Sequence, residues 1–468
     1  MASKLVKAGL AYTISNVILR GISFLSVPLF IRLLTTLEFG KYNVFISIEG
    51  VLYMISGFAI HTSIKNALYD KEATFDDYVK NCVYVDAVTA AALAVIANIV
   101  CLFYSEQIDL SFTEINLLMV AGFCQSLYNS YTAKLIMRYQ YWETILISSI
   151  TVIFGIALSV WLMLTILDDN RYYGRIFGAV GGQIVAAIYI LRQIFKDGKA
   201  PIRISDWLYG LRISLPIVPH GISQIILSSS DRIMIKYIHN AVLSGIYSIT
   251  YTLSLVPQVL FYSVSNIWEP WFFEKMGKGE YGIIKKGANR MLILMSSFFV
   301  TMACITPEVI RILATPDYYE AMDISVIILI GSYFAALYYI PCEIEYFYKK
   351  TQYIAISTVS CALLNILLNY VLLTHFSYKS AAVSTMICYG LYFLFHMLAA
   401  QHIHGKQLFN LWQMTMGIVT TVGLMTAAIL MINHPLARYT IVTIVMSMVI
   451  VNNRNYIKPR LQEFLHRH

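Results

Sequence analysis

The sequence is poor in charge. Only 13% of its 468 residues are Asp, Glu, Lys or Arg, against about 25% in an ordinary soluble domain. A soluble fold must cover its core with polar surface, and 34 basic plus 26 acidic residues cannot cover a chain that is 58% hydrophobic. A soluble enzyme and a nucleic-acid-binding domain are therefore excluded, despite the net charge of +8. Strand-like alternation of apolar and polar residues is lacking too, which excludes an outer-membrane barrel. The seven cysteines, at 82, 101, 124, 304, 342, 361 and 388, form no C-x-x-C or zinc-ligand spacing. Each lies in or beside an apolar run, where a small packing residue belongs. The Gly-Lys pairs at 40–41, 198–199, 277–278 and 405–406 are not followed by Ser or Thr, so there is no P-loop. Any work the protein does must draw on an ion gradient, the membrane potential or the gradient of what it handles.

What is present is apolar length. Mean hydropathy is +0.65, and a membrane-spanning helix needs roughly 20 mostly apolar residues. Fourteen such runs can be read, at about 9–34, 41–63, 81–104, 115–133, 144–167, 174–195, 213–238, 242–266, 290–313, 321–347, 353–373, 380–401, 411–432 and 437–452. The expected fold is an all-α polytopic membrane protein of about fourteen transmembrane helices. The first run follows Lys4 and Lys7 but is too long for a signal peptide and lacks a small-residue cleavage site, so it reads as a retained span. With the N-terminus inside, 24 of the 34 Lys and Arg fall on the cytoplasmic side and eight outside. That bias places both termini in the cytoplasm, and it turns most of the net charge into a topological signal.

The longest polar stretches, about 64–80, 196–212 and 275–289, are too short to be domains. The stretch at 196–212 is the expected hinge between lobes. A weak repeat supports that division: FIRLLTTLEFGKYNVF holds Arg32, Gly40 and Tyr42, and MIKYIHNAVLSGIYSI holds Lys236, Gly245 and Tyr247. The two lie six spans apart and so share an orientation, as in parallel-repeat transporters. The expected organisation is a six-helix lobe over 1–200, a second over 201–402, and two further helices with a basic tail over 403–468.

Charges inside the spans are the informative ones, because a charge at the bilayer centre costs at least about 2.5–3.5 kcal/mol. Arg20 lies mid-span with Asn16 four residues before it, and Asp86 lies near the inner end of span three. His220, Asp231 and Arg232 lie in span seven, and Glu343 and Glu345 near the inner end of span ten. Such residues face a bundle interior or a wet cavity, where they either pair to lock helices or serve a ligand. Glu343 and Glu345 have a third option, snorkelling beside Lys349 and Lys350. Pro28, Pro216, Pro219, Pro257 and Pro341 mark expected kinks. Many of the 34 tyrosines belong to interfacial belts. Asp76-Asp77, Asp168-Asp169 and His402-x-His404 sit in loops without partners for catalysis or metal binding.

Several segments together resemble the bacterial oligosaccharide and polysaccharide flippases, the O-antigen (Wzx-type) transporters of the multidrug/oligosaccharidyl-lipid/polysaccharide superfamily. LPIVPHGISQIILSSSDRIMIKYIHNAVLSGIYSITYTLS (215–254) looks like the family's Pro-x-x-Pro-His start, Asp-Arg pair and Gly-x-Tyr-Ser turn. SNIWEPWFFEKM (265–276), TPEVIRILATPDYYEA (306–321), KKTQYIAISTVSCALLNILLNYVLL (349–373), YYGRIFGAVGGQ (172–183) and the first 45 residues are similar to further family segments, in consistent order. HFSYKSAAVST (375–385) departs from it, lacking the glycines before the paired alanines.

The resemblance implies two six-helix lobes plus two C-terminal helices around a cavity that opens alternately to each side of the cytoplasmic (inner) membrane. The implied cargo is an oligosaccharide on undecaprenyl diphosphate, and the implied partners are a polysaccharide polymerase and chain-length regulator proteins. It implies no enzyme activity, cofactor, metal or nucleic acid. Arg20, His220, Asp231 and Arg232 are then the candidate substrate-binding residues, Arg20 and Arg232 being best placed by depth for a diphosphate. Asp86, Glu343 and Glu345 are the candidates for coupling to an H⁺ or Na⁺ gradient. A second reading is an ion-coupled multidrug or toxin extruder of the same superfamily, with Asp86, Asp231 or Glu343 titrating. A glycan polymerase or ligase needs a large outer loop, which the sequence lacks.

Overall fold

The computed structural model describes residues 18–19, 21–199, 201–405 and 408–449. Among them every regular element is helical. Among the described residues nine helices are long and apolar enough to cross a membrane by length and composition, and each falls on one of the expected runs. Arg20 and Asn16 lie outside the described residues.

The chain divides into two compact units, Met1–Gly245 and Ile246–His468. The first holds α1 (Gly21–Leu33), α2 (Thr36–Ile55), a 3₁₀ segment (Ser56–Ser63), α3 (Ile64–Asp70), α4 (Phe75–Ile108) and α5 (Phe112–Met137). It continues with α6 (Tyr141–Ser149), a π-turn (Ile150–Phe154), α7 (Gly155–Leu164), α8 (Arg171–Asp197), α9 (Ile204–Ser214) and α10 (Val218–Ile238). Two starts are written locally. Thr35 and Glu38 form a capping box before α2, with Glu38 N–H donating to Thr35 Oγ1 at 3.2 Å and Thr35 N–H to Glu38 Oε2 at 2.9 Å. Ser111 and Glu114 do the same for α5, so orphan amides at both helix starts are satisfied.

Small residues set the closest packing of this unit. Gly155 and Ser159 on α7 oppose Gly182 and Gly178 on α8, where an added Cβ at Gly178 would collide with Ser159. Backbones approach closely because small residues recur every fourth position. Gly40 and Gly245, the glycines of the repeated G-x-Y turn, also lie against each other, and a Cβ on Gly40 would collide with the Ala241 carbonyl.

Helix α11 (Ala241–Gly277) enters the second unit. There follow α12 (Tyr281–Leu313), α13 (Ala321–Leu337), α14 (Tyr339–Phe347), α15 (Gln352–His375), α16 (Ser380–His404), α17 (Leu411–Leu430) and α18 (Pro435–Val449). Helix α13 is the core element of this unit: its most apolar window is 72% buried, against 6% for that of Glu72–Tyr104, which contains α4. The outward apolar side of α4, including Val95, Ile99, Leu102 and Phe103, is exposed, as a face toward lipid requires.

The breaks differ from the expected kinks. Pro216 and Pro219 do not bend a continuous span; they separate α9 from α10, with Pro219 in the first turn of the latter, where its missing N–H costs nothing. The sharpest break carries no proline. Gly57, Phe58 and Ala59 turn left-handed at φ 79°, 48° and 53°, in a segment that reads as an unbroken apolar run. All seven cysteines are buried, as packing residues are.

Candidate functional site

In the first unit the polar interior is built on α2, α4, α5 and α8. Asp86, on α4, is completely buried. Its carboxylate accepts Ser126 Oγ–H at 2.8 Å and Ser130 Oγ–H at 3.2 Å. The two serines sit one turn apart on α5, so their hydroxyls point the same way. The left-handed break supplies the other wall: Gly57 N–H donates to Thr89 Oγ1 at 2.7 Å, and a Cβ on Gly57 would overlap the Asp86 carboxylate. A broken helix and a buried acid thus occupy one another's space, and only glycine fits between them. Left-handed turns at Phe58 and Ala59 cost about 1–2 kcal/mol each, a strain that the surrounding packing must offset.

Two turns above this break on α2, Glu49 is buried and accepts Gln183 Nε2–H from α8 at 2.7 Å. Further along α8, Arg175 lies between two rings, its guanidinium carbon 3.7 Å from the Phe30 centroid and 4.3 Å from that of Tyr42. Its Nη1 donates to Ser159 Oγ at 2.9 Å. Stacking on both faces suits a planar delocalised cation. Arg175 thus belongs to the interior of the bundle, although its sequence position is the very edge of the apolar run 174–195.

Helix α10 carries three predicted site residues. Asp231 is completely buried and His220 and Arg232 are half-buried. Arg232 donates through Nη2 to its own helix, to Ser228 O at 2.6 Å and Ser229 Oγ at 3.1 Å.

The second unit carries a column of buried polar groups between α15 and α16. At one end Asn369 Nδ2 donates to Asn365 Oδ1 at 3.1 Å, Asn365 Nδ2 to Thr385 Oγ1 at 3.4 Å, and Ser384 Oγ to Asn369 Oδ1. Further along, the Tyr392 and Thr358 hydroxyls meet at 3.0 Å. At the other end His396 is fixed on both ring nitrogens, with Nε2 3.1 Å from Ser357 Oγ and Nδ1 2.6 Å from Glu345 Oε1. Glu345 on α14 is completely buried and Glu343 nearly so, so the snorkelling option does not describe them. The Cys342 thiol, a Glu345 oxygen and a His396 nitrogen lie within 4.8 Å of one another. Oxygen and nitrogen ligands on one zinc stand about 3.3 Å apart, so the 2.6 Å contact is a hydrogen bond rather than a ligand pair.

Elsewhere in this unit, the completely buried Arg438 on α18 forks onto Glu308 of α12 at 2.5 and 2.7 Å and donates to the Cys304 carbonyl. An apolar groove of about 420 Å³ runs between α12, α17 and α18, lined by Leu292, Val300, Met416, Leu424, Val445 and Met448 among others.

The structure therefore seats Asp86, Asp231, Glu343 and Glu345 in the interior, as their interruption of apolar runs implies. It adds Glu49, Arg175, His396 and the Gly57 break. His396 left a signal, a lone imidazole within FLFHML; Gly57 left none.

The fold is shared with solved structures. The fold matches the lipid II flippase MurJ in an inward closed conformation, with TM-score 0.75 at 16% identity, over 96% of this chain and 100% of that one. It also matches an inward-facing multidrug resistance MATE family transporter of the MOP superfamily, with TM-score 0.67 at 10% identity, over 83% and 96% of the two chains. A Vibrio cholerae MATE transporter matches with TM-score 0.54 at 13% identity, over 87% and 98%. No curated relative matches by sequence. A family model does: that of the polysaccharide biosynthesis proteins covers residues 5–276. With more than half of its length matched by that model, the chain belongs to the polysaccharide biosynthesis protein family.

Proposed function

We propose that the protein is a flippase that moves undecaprenyl-diphosphate-linked oligosaccharides from the cytoplasmic to the outer leaflet of the bacterial inner membrane. It works by alternating access without ATP, for O-antigen, capsule or exopolysaccharide synthesis, and hands its cargo to a polymerase and chain-length regulator. The observation that carries this reading is membership of a polysaccharide biosynthesis family in a chain with a flippase's fold. The α12–α17–α18 groove supports it, because a polyprenyl tail needs an apolar track beside the path of its polar head. Arg232 supports it as well: a cation within a spanning helix is expensive, and its guanidinium fork suits phosphate oxygens. Arg20 would be the second cation of this clamp.

Deleting the gene in its host tests the reading. Loss of long-chain surface polysaccharide, restored by the wild-type gene, is the expected outcome. R20A and R232A are each expected to abolish that restoration while the protein still inserts; normal polysaccharide in both removes the diphosphate clamp. The second reading, an ion-coupled drug extruder, is favoured by the MATE fold match and the buried acids Asp86 and Glu345. Drug sensitivity with intact polysaccharide after deletion would establish it instead.

A further inference from the structure

The Glu345–His396 contact is an acid and a base in direct contact at the centre of four helices, and nothing in the packing alone calls for them. Both side chains are completely buried. His396 is held edge-on by Tyr392, ring centroids 4.6 Å apart, and faced by Tyr338 at 5.3 Å. Glu345 Oε1 is bonded to His396, whereas its Oε2 is enclosed with no hydrogen-bond partner among the described residues. The remaining titratable groups nearby are neutral thiols and phenols or further acids. From α14 come Tyr339, Cys342 and Glu343, and Tyr346 beyond them; from α15 comes Cys361; on α11, Glu269 adds negative charge towards Glu343. Lys349 and Lys350, the nearest basic residues in sequence, are exposed.

That inventory fixes the charge balance. A carboxylate beside a neutral imidazole leaves the pair at −1, with an ionised oxygen facing no donor in a low-dielectric interior. Such a group is costly to bury. One further proton brings the pair to zero, whether it sits on Oε2, on Oε1 or as imidazolium N–H facing carboxylate. Two charge states of one buried pair separated by a single proton are what a coupled carrier requires, because each favours a different degree of water access.

We propose that Glu345 and His396 together form a binding site for one exchangeable proton in the second unit, and that its uptake and release accompany the transport cycle. The proposal deepens the transporter reading, on which its second half rests, and names the coupling ion as H⁺ rather than Na⁺. The step is a plain proton transfer: a proton from water adds to a carboxylate or imidazole lone pair, and the same N–H or O–H bond breaks on release. Ser357 on Nε2 and Glu345 on Nδ1 let the ring accept on one side and donate on the other, as imidazole relays do.

The test uses the purified full chain in lipid nanodiscs, without substrate. Infrared difference spectra between alkaline and acidic buffer are expected to show a protonated-carboxyl C=O band that E345Q loses and H396N shifts. An unchanged band in both variants overturns the site, as does stoichiometric zinc retained by wild type and lost from H396N. Should a variant fail to fold, ¹⁵N-histidine NMR of the wild type decides: a His396 signal insensitive to pH and to Glu345 overturns the pair. Coupling is read separately, by restoration of surface polysaccharide in the deletion strain. Wild type restoring it while E345Q restores it equally, with the same sensitivity to a protonophore, overturns the coupling. Failure of wild type itself to restore it overturns the flippase reading and leaves the nanodisc result standing.

Discussion

Buried charge is held in two ways. In the first unit Asp86, Glu49 and Arg175 are held by hydroxyls, an amide and aromatic faces, with no ion pair closing on them among the described residues. Lys134 and Asp206 of the same unit are closed by counter-ions, Lys134 by Asp76 and Asp197, and Asp206 by Lys71. In the second, Arg438 and Glu308 neutralise one another with a bidentate fork, and Glu345 is held by His396. Between α15 and α16 the remaining interior polarity is that of amides and hydroxyls. A charge closed by its counter-ion is locked, because separating the pair exposes two ions to a low dielectric. A charge held by neutral dipoles has a second state within reach, since hydroxyls and amides can re-aim. The first unit therefore carries responsive charges at Asp86, Glu49 and Arg175 beside its locked pairs, and the second carries one at the Glu345–His396 end of its column.

The strongest way to break this comparison is at Gly57. Gly57→Ala places a methyl at positive φ and into the Asp86 carboxylate, and is expected to destabilise the chain by roughly 3 kcal/mol or more. Loss of the folded fraction in detergent thermal unfolding measures it. Asp86→Ala on the same background removes the obstacle and leaves the backbone cost of about 1–2 kcal/mol, so the double variant is expected to recover the remainder of the loss. Equal damage with and without Asp86 would mean that the break does not seat the acid.

The next largest effect belongs to the locked pair. Arg438→Met leaves Glu308 without its partner. Glu308 is a quarter exposed, which discounts the full cost of a broken buried pair to about 2 kcal/mol. Removing both charges, in Arg438→Met with Glu308→Leu, is expected to return within about 1 kcal/mol of wild type. Surface polysaccharide should survive the double variant. A double variant that folds yet loses it would make the pair part of the cycle rather than a clasp.

Much of this architecture was legible because membrane physics is blunt. Long apolar runs must be helices, and Asp86, Asp231 and Glu345 stood out as charges interrupting them. Glu49 carried the same signal as Asp86, a charge inside the apolar run 41–63. Arg175 was illegible for a geometric reason: it stands at the edge of the run 174–195, where a cation reaches the membrane surface, and only the turn of α8 carries it inward between Phe30 and Tyr42. The Gly57 break was hidden because SGFAIHTS stays apolar on both sides. Glycine is common in membrane helices, and its left-handed turn is set by packing against α4 and α5. Prolines misled in the opposite direction: Pro216 and Pro219 looked like kinks and are a helix start.

Arg175 offers a finer distinction. Arg175→Lys keeps the charge but loses the planar guanidinium that two rings clasp, and is expected to cost about 1 kcal/mol. If the rings serve only as apolar packing, Arg175→Met should be tolerated as well as Arg175→Lys or better. If they hold a cation, Met should be the worse for polysaccharide export even where thermal unfolding ranks the two alike.

The smallest expected effect decides whether the contrast lies in charge or merely in location. Asn98 on α4 and Asn116 on α5 are a neutral pair inside the first unit, exchanging two hydrogen bonds at 3.1 Å each. Each amide also donates to a carbonyl of its own helix, Asn98 to Ala94 and Asn116 to Phe112, at 2.8 Å. Truncating one leaves the other partly satisfied. Interhelical hydrogen bonds between neutral groups in membranes average about 0.6 kcal/mol, so Asn116→Ala should lower stability by about that much and leave export unchanged. A loss as large as that of the Arg175 variants would mean that any polar group at this interface is costly to alter, and the contrast between responsive and locked charges would fail. A loss near 0.6 kcal/mol, below that of the Arg175 variants and well below that of Gly57→Ala, ties this sensitivity to the ions that neutral dipoles and aromatic faces hold.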